Sequence, residues 1–519
     1  MNRMNTRTKN PSAQLAVYLE SARSKAKGQV VKSSDLDRMV RERLTAAGYL
    51  SRVMKGWYLL SKPTGLATTT LWFSNYWDFI REYLSVRFGQ EYCLSPESSL
   101  DLHAGSHSFS RQVIVVTKKA SNESIELPHK TSILLYQDEK NFPAIMVKKN
   151  GLNIIPLAEA ICRSSPSYFL NSTLNMEICL KLLRSPAEIS RALLESKSLS
   201  SANRIIGAFK CLNDHATGSQ IEKDLLAAGF STNPVNPFEE KKLFLSSGGR
   251  ITSPYAARIK AMWTRMREDV LKVFPKDPGI SNTKNTLSII EHLYKEDSYH
   301  SLSIEGYHVT PKLIQDIQEG NWSPELNAND ERQNDAFAAK GYFEASQQVR
   351  ASVTKVLNGD PSGKVFYDDV QNWYRELFRP GVIAGVLEPT QLAGYRSKQV
   401  YIAGSRHIPP PPEAVLDSMN ALERLLIEEP SAAIRAVLGH FIFVFIHPYM
   451  DGNGRIGRFI LNLMLVSGGY NWTVIRVSER QKYMESLEAA SVEGDIKPFA
   501  DLVLNEMTHW RRETERILS

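Results

Sequence analysis

Apolar positions along this 519-residue chain recur with helical and strand-like periods whose character changes from one end to the other. Near the N-terminus, Leu15, Val17, Tyr18 and Leu19 form an apolar-periodic segment, capped by Ser12 and ending near Gly28. In Asp35–Ala47, Leu36, Met39, Val40 and Leu44 share one helical face, and Gly48 stops the segment. Tyr49–Val53 and Trp57–Ser61 follow as short strands joined at Lys55-Gly56. Two helices and a small hairpin predict a winged helix-turn-helix over residues 1–62. From 63 to 245 the pattern is α/β. Gln112–Thr117, Ile133–Tyr136 and Ala144–Val147 read as strands, and Tyr168–Leu183, Ile189–Leu194 and Ile205–Ala228 read as helices. Asn233-Pro-Val-Asn-Pro237, charged Glu239–Lys242 and the Ser246–Arg250 turn predict a linker.

Beyond the linker the helical period dominates. Pro254–Val273 carries Ile259, Met262, Trp263, Met266 and Val270 and ends at Pro275 and Pro278. A helix with Leu287, Ile290, Leu293 and Tyr294 runs into His300-Ser-Leu-Ser-Ile-Glu-Gly306, with Thr310 and Pro311 opening the next as N-cap and first residue. Leu392–Pro412 reads as a short hairpin, with Val400-Tyr-Ile402 as a strand, leading into a polyproline run and a helix from near Glu413. Ser431–Ile446 (Ile434, Val437, Leu438, Phe441, Ile442, Phe445) and Phe459–Val466 read as buried helices, the second stopped at Gly468-Gly469. Val477–Gly494 and Pro498–Arg516 close the chain as helices.

Between the two buried helices lies the polar string His447-Pro-Tyr-Met-Asp-Gly-Asn-Gly-Arg-Ile-Gly-Arg458. Its Gly-Asn-Gly falls where the second helix begins, and the first N–H groups of a helix have no internal acceptor, so the position favours phosphate. Gly452 and Gly454 allow positive φ and close approach to an anion. Arg455 and Arg458, one turn apart, can grip further phosphate oxygens. Asp451 is a hard oxygen ligand suited to a Mg²⁺ shared with phosphates, and His447 can serve as a neutral base.

Composition narrows the class. Hydrophobic content of 42% and charged content of 23% are ordinary for a globular protein. Cys93, Cys162, Cys179 and Cys211 have no pairing or ligand spacing and predict reduced thiols in a cytoplasmic protein. No apolar stretch approaches the roughly 18 residues of a membrane span, and no leader is evident. The net charge of +7 is concentrated at the start. Residues 1–62 hold thirteen Lys and Arg, Arg3, Arg7 and Lys9 among them, against four acidic residues. That footprint makes DNA a candidate partner, with Arg38, Arg41 and Lys55 as contacts.

The string His447–Arg458 resembles the Fic family motif His-x-Phe-x-(Asp/Glu)-Gly-Asn-Gly-Arg-x-x-Arg, with Tyr449 in place of the usual Phe. The resemblance implies a helical core with a β-hairpin flap that transfers AMP from ATP to a Ser, Thr or Tyr hydroxyl of a target protein. His447 would deprotonate the hydroxyl, Asp451 would hold Mg²⁺, and Gly452, Asn453, Gly454, Arg455 and Arg458 would bind the nucleotide, with Tyr483 in the adenine pocket. Val400, Tyr401 and Ile402 would align the target. Ser301, Glu305 and Gly306 are similar to the family's inhibitory motif (Ser/Thr)-x-x-x-Glu-(Gly/Asn), so Glu305 would pair with Arg458 and also support AMP removal. The implied division is a helical region with the inhibitory motif over 250–364 and a catalytic core over 365–519. Leu44-x-x-x-Gly48-Tyr-Leu-x-Arg52 and Lys55-Gly-Trp-Tyr-Leu-Leu resemble the winged helix of bacterial AbiEi-type antitoxins. The alternatives are transfer of UMP, phosphate or phosphocholine, and a DNA-binding regulator of toxin–antitoxin type whose Fic domain senses nucleotide or modifies itself. Monomer and homodimer are both left open.

Overall fold

The computed structural model describes residues 11–63, 68–106, 111–119, 122–245, 250–280, 282–322 and 330–518. Segment 1–10, with Arg3, Arg7 and Lys9, and turn residues 246–249 lie outside the described residues. The chain divides into two compact units, one of residues 1–250 with Tyr401–Ile408 and one of Ile251–Val400 with Pro409–Ser519.

The first unit opens with α1 (Pro11–Lys25), β1 (Val30–Lys32), α2 (Arg38–Ala46), β2 (Leu50–Met54) and β3 (Trp57–Leu60). The strands form an antiparallel sheet in the order β1-β3-β2, and Val40 and Leu44 of α2 are buried against Leu50 and Leu60. Met39, expected on the buried face of α2, is 53% exposed. Strand β1 is only three residues long and carries no period a sequence reading could detect.

Next come α3 (Thr68–Phe88), β4 (Tyr92–Leu94), α4 (Pro96–His103), β5 (Gln112–Thr117), β6 (Glu123–Leu127) and β7 (Thr131–Gln137). The four strands pair in the order β4-β5-β7-β6, with β5 and β7 parallel. Trp72, Tyr76, Phe79, Ile80, Tyr83 and Leu84 recur at helical spacing on α3 and share one core cluster with this sheet. A small hairpin, β8 (Val147–Lys149) and β9 (Leu152–Ile154), replaces the expected strand at Ala144–Val147. Helices α5 (Leu157–Arg163), α6 (Pro166–Asn171), α7 (Thr173–Leu182), α8 (Pro186–Ser196), α9 (Leu199–Cys211) and α10 (His215–Ala227) complete the unit. Two expected long helices are broken. Ser172 separates α6 from α7, and Asn213, at φ +58°, separates α9 from α10, where the Asp214 carboxylate caps the new helix.

The Asn233–Pro237 stretch, expected as a linker, is docked on the unit instead. Asn203 accepts from Asn233 N and Val235 N, and a Cβ at Gly207 of α9 would collide with the Val235 carbonyl. Phe238 packs on Phe169, and Glu177 Oε2 accepts from Phe244 N and Leu245 N. Burial raises the Glu177 carboxyl to about 7.

The second unit is helical: α11 (Pro254–Val273), α12 (Thr283–Ile304), α13 (Pro311–Gln318), α14 (Asp330–Leu357), α15 (Ser362–Ile383), α16 (Pro412–Glu428), α17 (Ala432–Ile446), α18 (Asn453–Ser467), α19 (Arg480–Glu488) and α20 (Lys497–Leu518). Helices α17 and α18 are buried along almost their whole length and form the centre of the core, with Arg455 and Arg458 of α18 among the buried residues. A Cβ at Gly341 of α14 would collide with the Leu377 carbonyl of α15, so glycine there permits close packing of that pair. No strand forms at Val400–Ile402. The turn before it is organised by side chains rather than a ladder. Arg396 Nε donates to the His447 carbonyl at 2.8 Å and its Nη2 to the Pro410 carbonyl, and Gln399 Nε2 donates to the Pro409 carbonyl at 2.9 Å.

Candidate active site

The loop between α17 and α18 is set by backbone geometry. His447 ends α17 in the left-handed region at φ +52°, and Gly452 opens α18 at φ +80°, where a Cβ would also strike the Phe378 ring. Asn453 clasps the loop. Its Oδ1 accepts from Tyr449 N at 3.0 Å and its Nδ2 donates to the Tyr449 carbonyl at 2.9 Å. The Asn453 side chain, expected to contact nucleotide, is therefore spent on loop closure and leaves its backbone N–H to the helix terminus. Tyr449 is fully buried and stacks on Tyr374 at 3.8 Å, and its hydroxyl donates to Gln371 Oε1.

His447 has a defined tautomer. Nδ1 lies 3.2 Å from the Val444 carbonyl, an acceptor only, so Nδ1 carries the proton and Nε2 keeps the lone pair. Burial pushes the imidazole down to about 4, against the opposing pull of the Val444 carbonyl, and Arg396 adds to the fall. Neutral at pH 7, it has the state a general base needs.

Asp451 stands at the mouth of the loop with 63% of its side chain exposed. Oδ1 accepts from Gly452 N at 2.6 Å and Oδ2 from Arg455 Nη2 at 3.2 Å. Among the described residues no group of three or more His, Cys, Asp or Glu could form a metal cage. One open carboxylate beside an anion site fits a Mg²⁺ that arrives with phosphates.

Both arginines are buried. Arg455 is 1% exposed and its guanidinium lies 5.2 Å from the Tyr307 ring and 5.1 Å from the Phe378 ring. Arg458 is 3% exposed; Nε donates to Ser301 Oγ at 2.8 Å, and Nη2 donates to the Ser301 carbonyl at 2.9 Å and to Glu305 Oε1 at 2.8 Å. Arg455 Nε and Arg458 Nη1 are buried donors with no partner among the described residues. Glu305 Oε1 sits where a Cβ on Gly454 would be, against the first turn of α18. Burial would raise this carboxyl, yet the Arg458 and Arg455 guanidiniums outweigh it and hold Glu305 below the usual carboxylate range. A cluster of donors built for an anion is thus filled by a side-chain carboxylate.

Helix α12 is anchored by residues that no motif singles out. Trp472 Nε1 donates to Asp297 Oδ2 at 3.2 Å, Val477 N to His300 Nδ1 at 3.3 Å, and Arg480 Nε to the Ile304 carbonyl at 2.8 Å. Burial raises the Asp297 carboxyl to about 6. Tyr483, expected in an adenine pocket, is 1% exposed and hydrogen-bonds His440 at 2.9 Å, so it belongs to the core behind Arg458. A periodic sequence cannot tell an inward tyrosine from one lining a cleft.

His440 is fully buried, and burial together with Arg458 lowers its imidazole to about 3. Below its ordinary value of 6.5 the unfolded chain takes up this proton and the folded chain does not, so His440 costs stability as pH falls through that window. Asp297 acts oppositely, favouring the folded chain as pH falls through about 6. A comparison of variants isolates the histidine. The Tm of His440→Phe gains on wild type between pH 7 and pH 5, by the equivalent of about 2 kcal/mol. Parallel melting curves would contradict neutral burial.

Residues 365–465 match the model of the Fic/DOC family, and this stretch is a Fic domain. The chain is similar to Protein adenylyltransferase Fic of Drosophila melanogaster, 30% identical over 241 residues, which is 46% of this chain and 44% of that protein. It is also similar to Protein adenylyltransferase Fic of Nematostella vectensis, 31% identical over 218 residues, 41% of this chain and 47% of that protein. Among solved structures, Fic-1 (residues 134–508) from C. elegans aligns with 19% identity and a TM-score of 0.37, covering 70% of this chain and 96% of that one. The chain spans less than half the length of the curated relatives it matches. Among the described residues, no helix is long and apolar enough to cross a membrane.

Proposed function

We propose that this protein is a protein adenylyltransferase that moves AMP from ATP to a Ser, Thr or Tyr hydroxyl of another protein, held inactive in cis by Glu305. The carrying observation is the Glu305 carboxylate on Gly454 and Arg458, at the start of α18 and close to the neutral base His447. The names of the relatives support the same chemistry.

With Glu305 withdrawn, the outer phosphates of ATP take its place on Arg458 and the first N–H groups of α18, and Arg455 adds its grip once it turns from Asp451. His447 Nε2 accepts the target hydroxyl's proton while that oxygen bonds to the α-phosphorus. The bond from the α-phosphorus to its bridging oxygen breaks, and pyrophosphate leaves with that electron pair. The His447 imidazolium returns the proton to solvent. Asp451 would hold the Mg²⁺ that, when bound, neutralises phosphate charge. The test uses purified Glu305→Gly protein with cell lysate and ATP labelled in either the α- or the γ-phosphate. Protein-bound label from the α-position alone is expected. Label from the γ-position alone would replace this reading with phosphate transfer.

A second reading, DNA binding, belongs to the first unit. It is favoured by the β1-β3-β2 sheet beside α2 and by exposed Arg43, Arg52 and Lys55. Two of the expected contacts are committed elsewhere. Arg41 Nη1 donates to the Ser33 carbonyl at 2.8 Å, and Arg38 pairs with Glu42 along the helix. Reversing Arg43, Arg52 and Lys55 to Glu weakens duplex binding and lowers the slope of log affinity against log salt by about 3. An unchanged slope in a filter-binding titration removes this reading.

A further inference from the structure

Helix α12 ends in a turn whose geometry delivers two side chains to the site. Glu305 is the C-cap that follows Ile304, Gly306 takes φ +91°, and no atom lies within 4 Å of a Cβ placed there. Glycine is required for the backbone conformation and not for space. Gly306 N donates to the Ser303 carbonyl and Tyr307 N to the Leu302 carbonyl, both at 3.1 Å, the paired bonds of a Schellman cap. The cap sets the backbone of Tyr307 directly after that of Glu305 and Gly306. Its half-buried ring lies 5.2 Å from the Arg455 guanidinium, which also contacts Phe378 and donates to Asp451 Oδ2. Burial raises the Tyr307 phenol, the Arg455 charge and a side-chain hydrogen bond to Arg455 oppose that rise, and the Asp451 and Glu305 charges add to it.

We propose that Tyr307 is a second lock on the anion site: its ring holds Arg455 against Asp451, away from phosphate, independently of the Glu305–Arg458 pair. The same turn therefore disables both arginines, one by a carboxylate and the other by a cation–π contact. Removing Glu305 frees Arg458 and leaves Arg455 masked. Tyr307 acts through Arg455 and is a positioning residue. The proposal rests on the adenylyltransferase reading for its consequence, while the masking itself can be measured without it.

The experiment compares Glu305→Gly, Glu305→Gly/Tyr307→Phe and Glu305→Gly/Tyr307→Leu. Phenylalanine keeps the aromatic face, and leucine keeps apolar packing at the cap but loses the face. The first readout is modification of Arg455 by phenylglyoxal, followed by peptide mass spectrometry with Arg476 as internal reference. The second is the Kd of ATP by calorimetry. The leucine variant is expected to expose Arg455 about three- to tenfold faster and to bind ATP more tightly by a similar factor, and the phenylalanine variant to match Glu305→Gly in both. Equal Arg455 reactivity in all three proteins, or weaker ATP binding on loss of the ring, overturns the proposal. Faster Arg455 modification in the leucine variant with no ATP binding by any of the three upholds the masking and removes the adenylyltransferase reading.

Discussion

Replacing Glu305 with glycine raises AMP transfer to target protein about 10- to 100-fold, with a matching gain in ATP affinity. The physical basis is competition for one set of donors. Arg458 is buried and already bonded to Ser301 Oγ and the Ser301 carbonyl, so its remaining valence is shared between Glu305 and any phosphate. The carboxylate is tethered on an anchored helix and so has the advantage of a high local concentration. Its removal leaves Arg458 with an unpaired buried charge that phosphate can satisfy. The fold is expected to survive, because Leu302 and Ile304 and the Trp472–Asp297, Val477–His300 and Arg480–Ile304 bonds still hold α12. Initial rates with labelled ATP measure the effect. An unchanged rate in a protein that binds ATP normally would mean that Glu305 does not govern access.

In the Glu305→Gly background, His447→Ala lowers the transfer rate by about 10²–10⁴ and leaves the Kd for ATP unchanged. The imidazole hydrogen-bonds the Val444 carbonyl through Nδ1 and donates nothing to the phosphate site, and its Nε2 has a single use in the proposed reaction. Its lowered value also fixes the pH dependence. The base is neutral above about 4, so no acid limb is expected near the ordinary histidine value. The rate falls only as pH drops through about 4, where His447 protonates. A limb centred near 6.5 in kcat/KM would show the imidazole to be far more hydrated than it is here.

The loop His447–Arg458 could be read because two buried helices bracket it and every proposed chemical role needs a distinct residue type in a short span. Glu305 could be read only beside that loop, since one Glu in a serine-rich helix end is ordinary. Arg396, Asp297, Trp472, Arg480 and Tyr307 carry no local signal; each matters through a partner tens to hundreds of residues away. Other errors have local causes. Apolar periodicity runs on across the breaks at Ser172 and Asn213, so two helices looked like one in each case. Val400–Ile402 is β-branched and aromatic, as strands are, but no strand pairs with it. Asn233–Pro237 has the composition of a linker, although Phe238 and Leu245 bury enough apolar surface to dock what flanks them.

The most direct test of the central claim is a single gel. Wild type, Glu305→Gly and Glu305→Gly/His447→Ala are incubated with α-labelled ATP, Mg²⁺ and cell lysate. Faint protein labelling by wild type, strong labelling by Glu305→Gly and none by the double variant are expected. Equal labelling by all three, or silence from Glu305→Gly despite normal ATP binding, would contradict that claim.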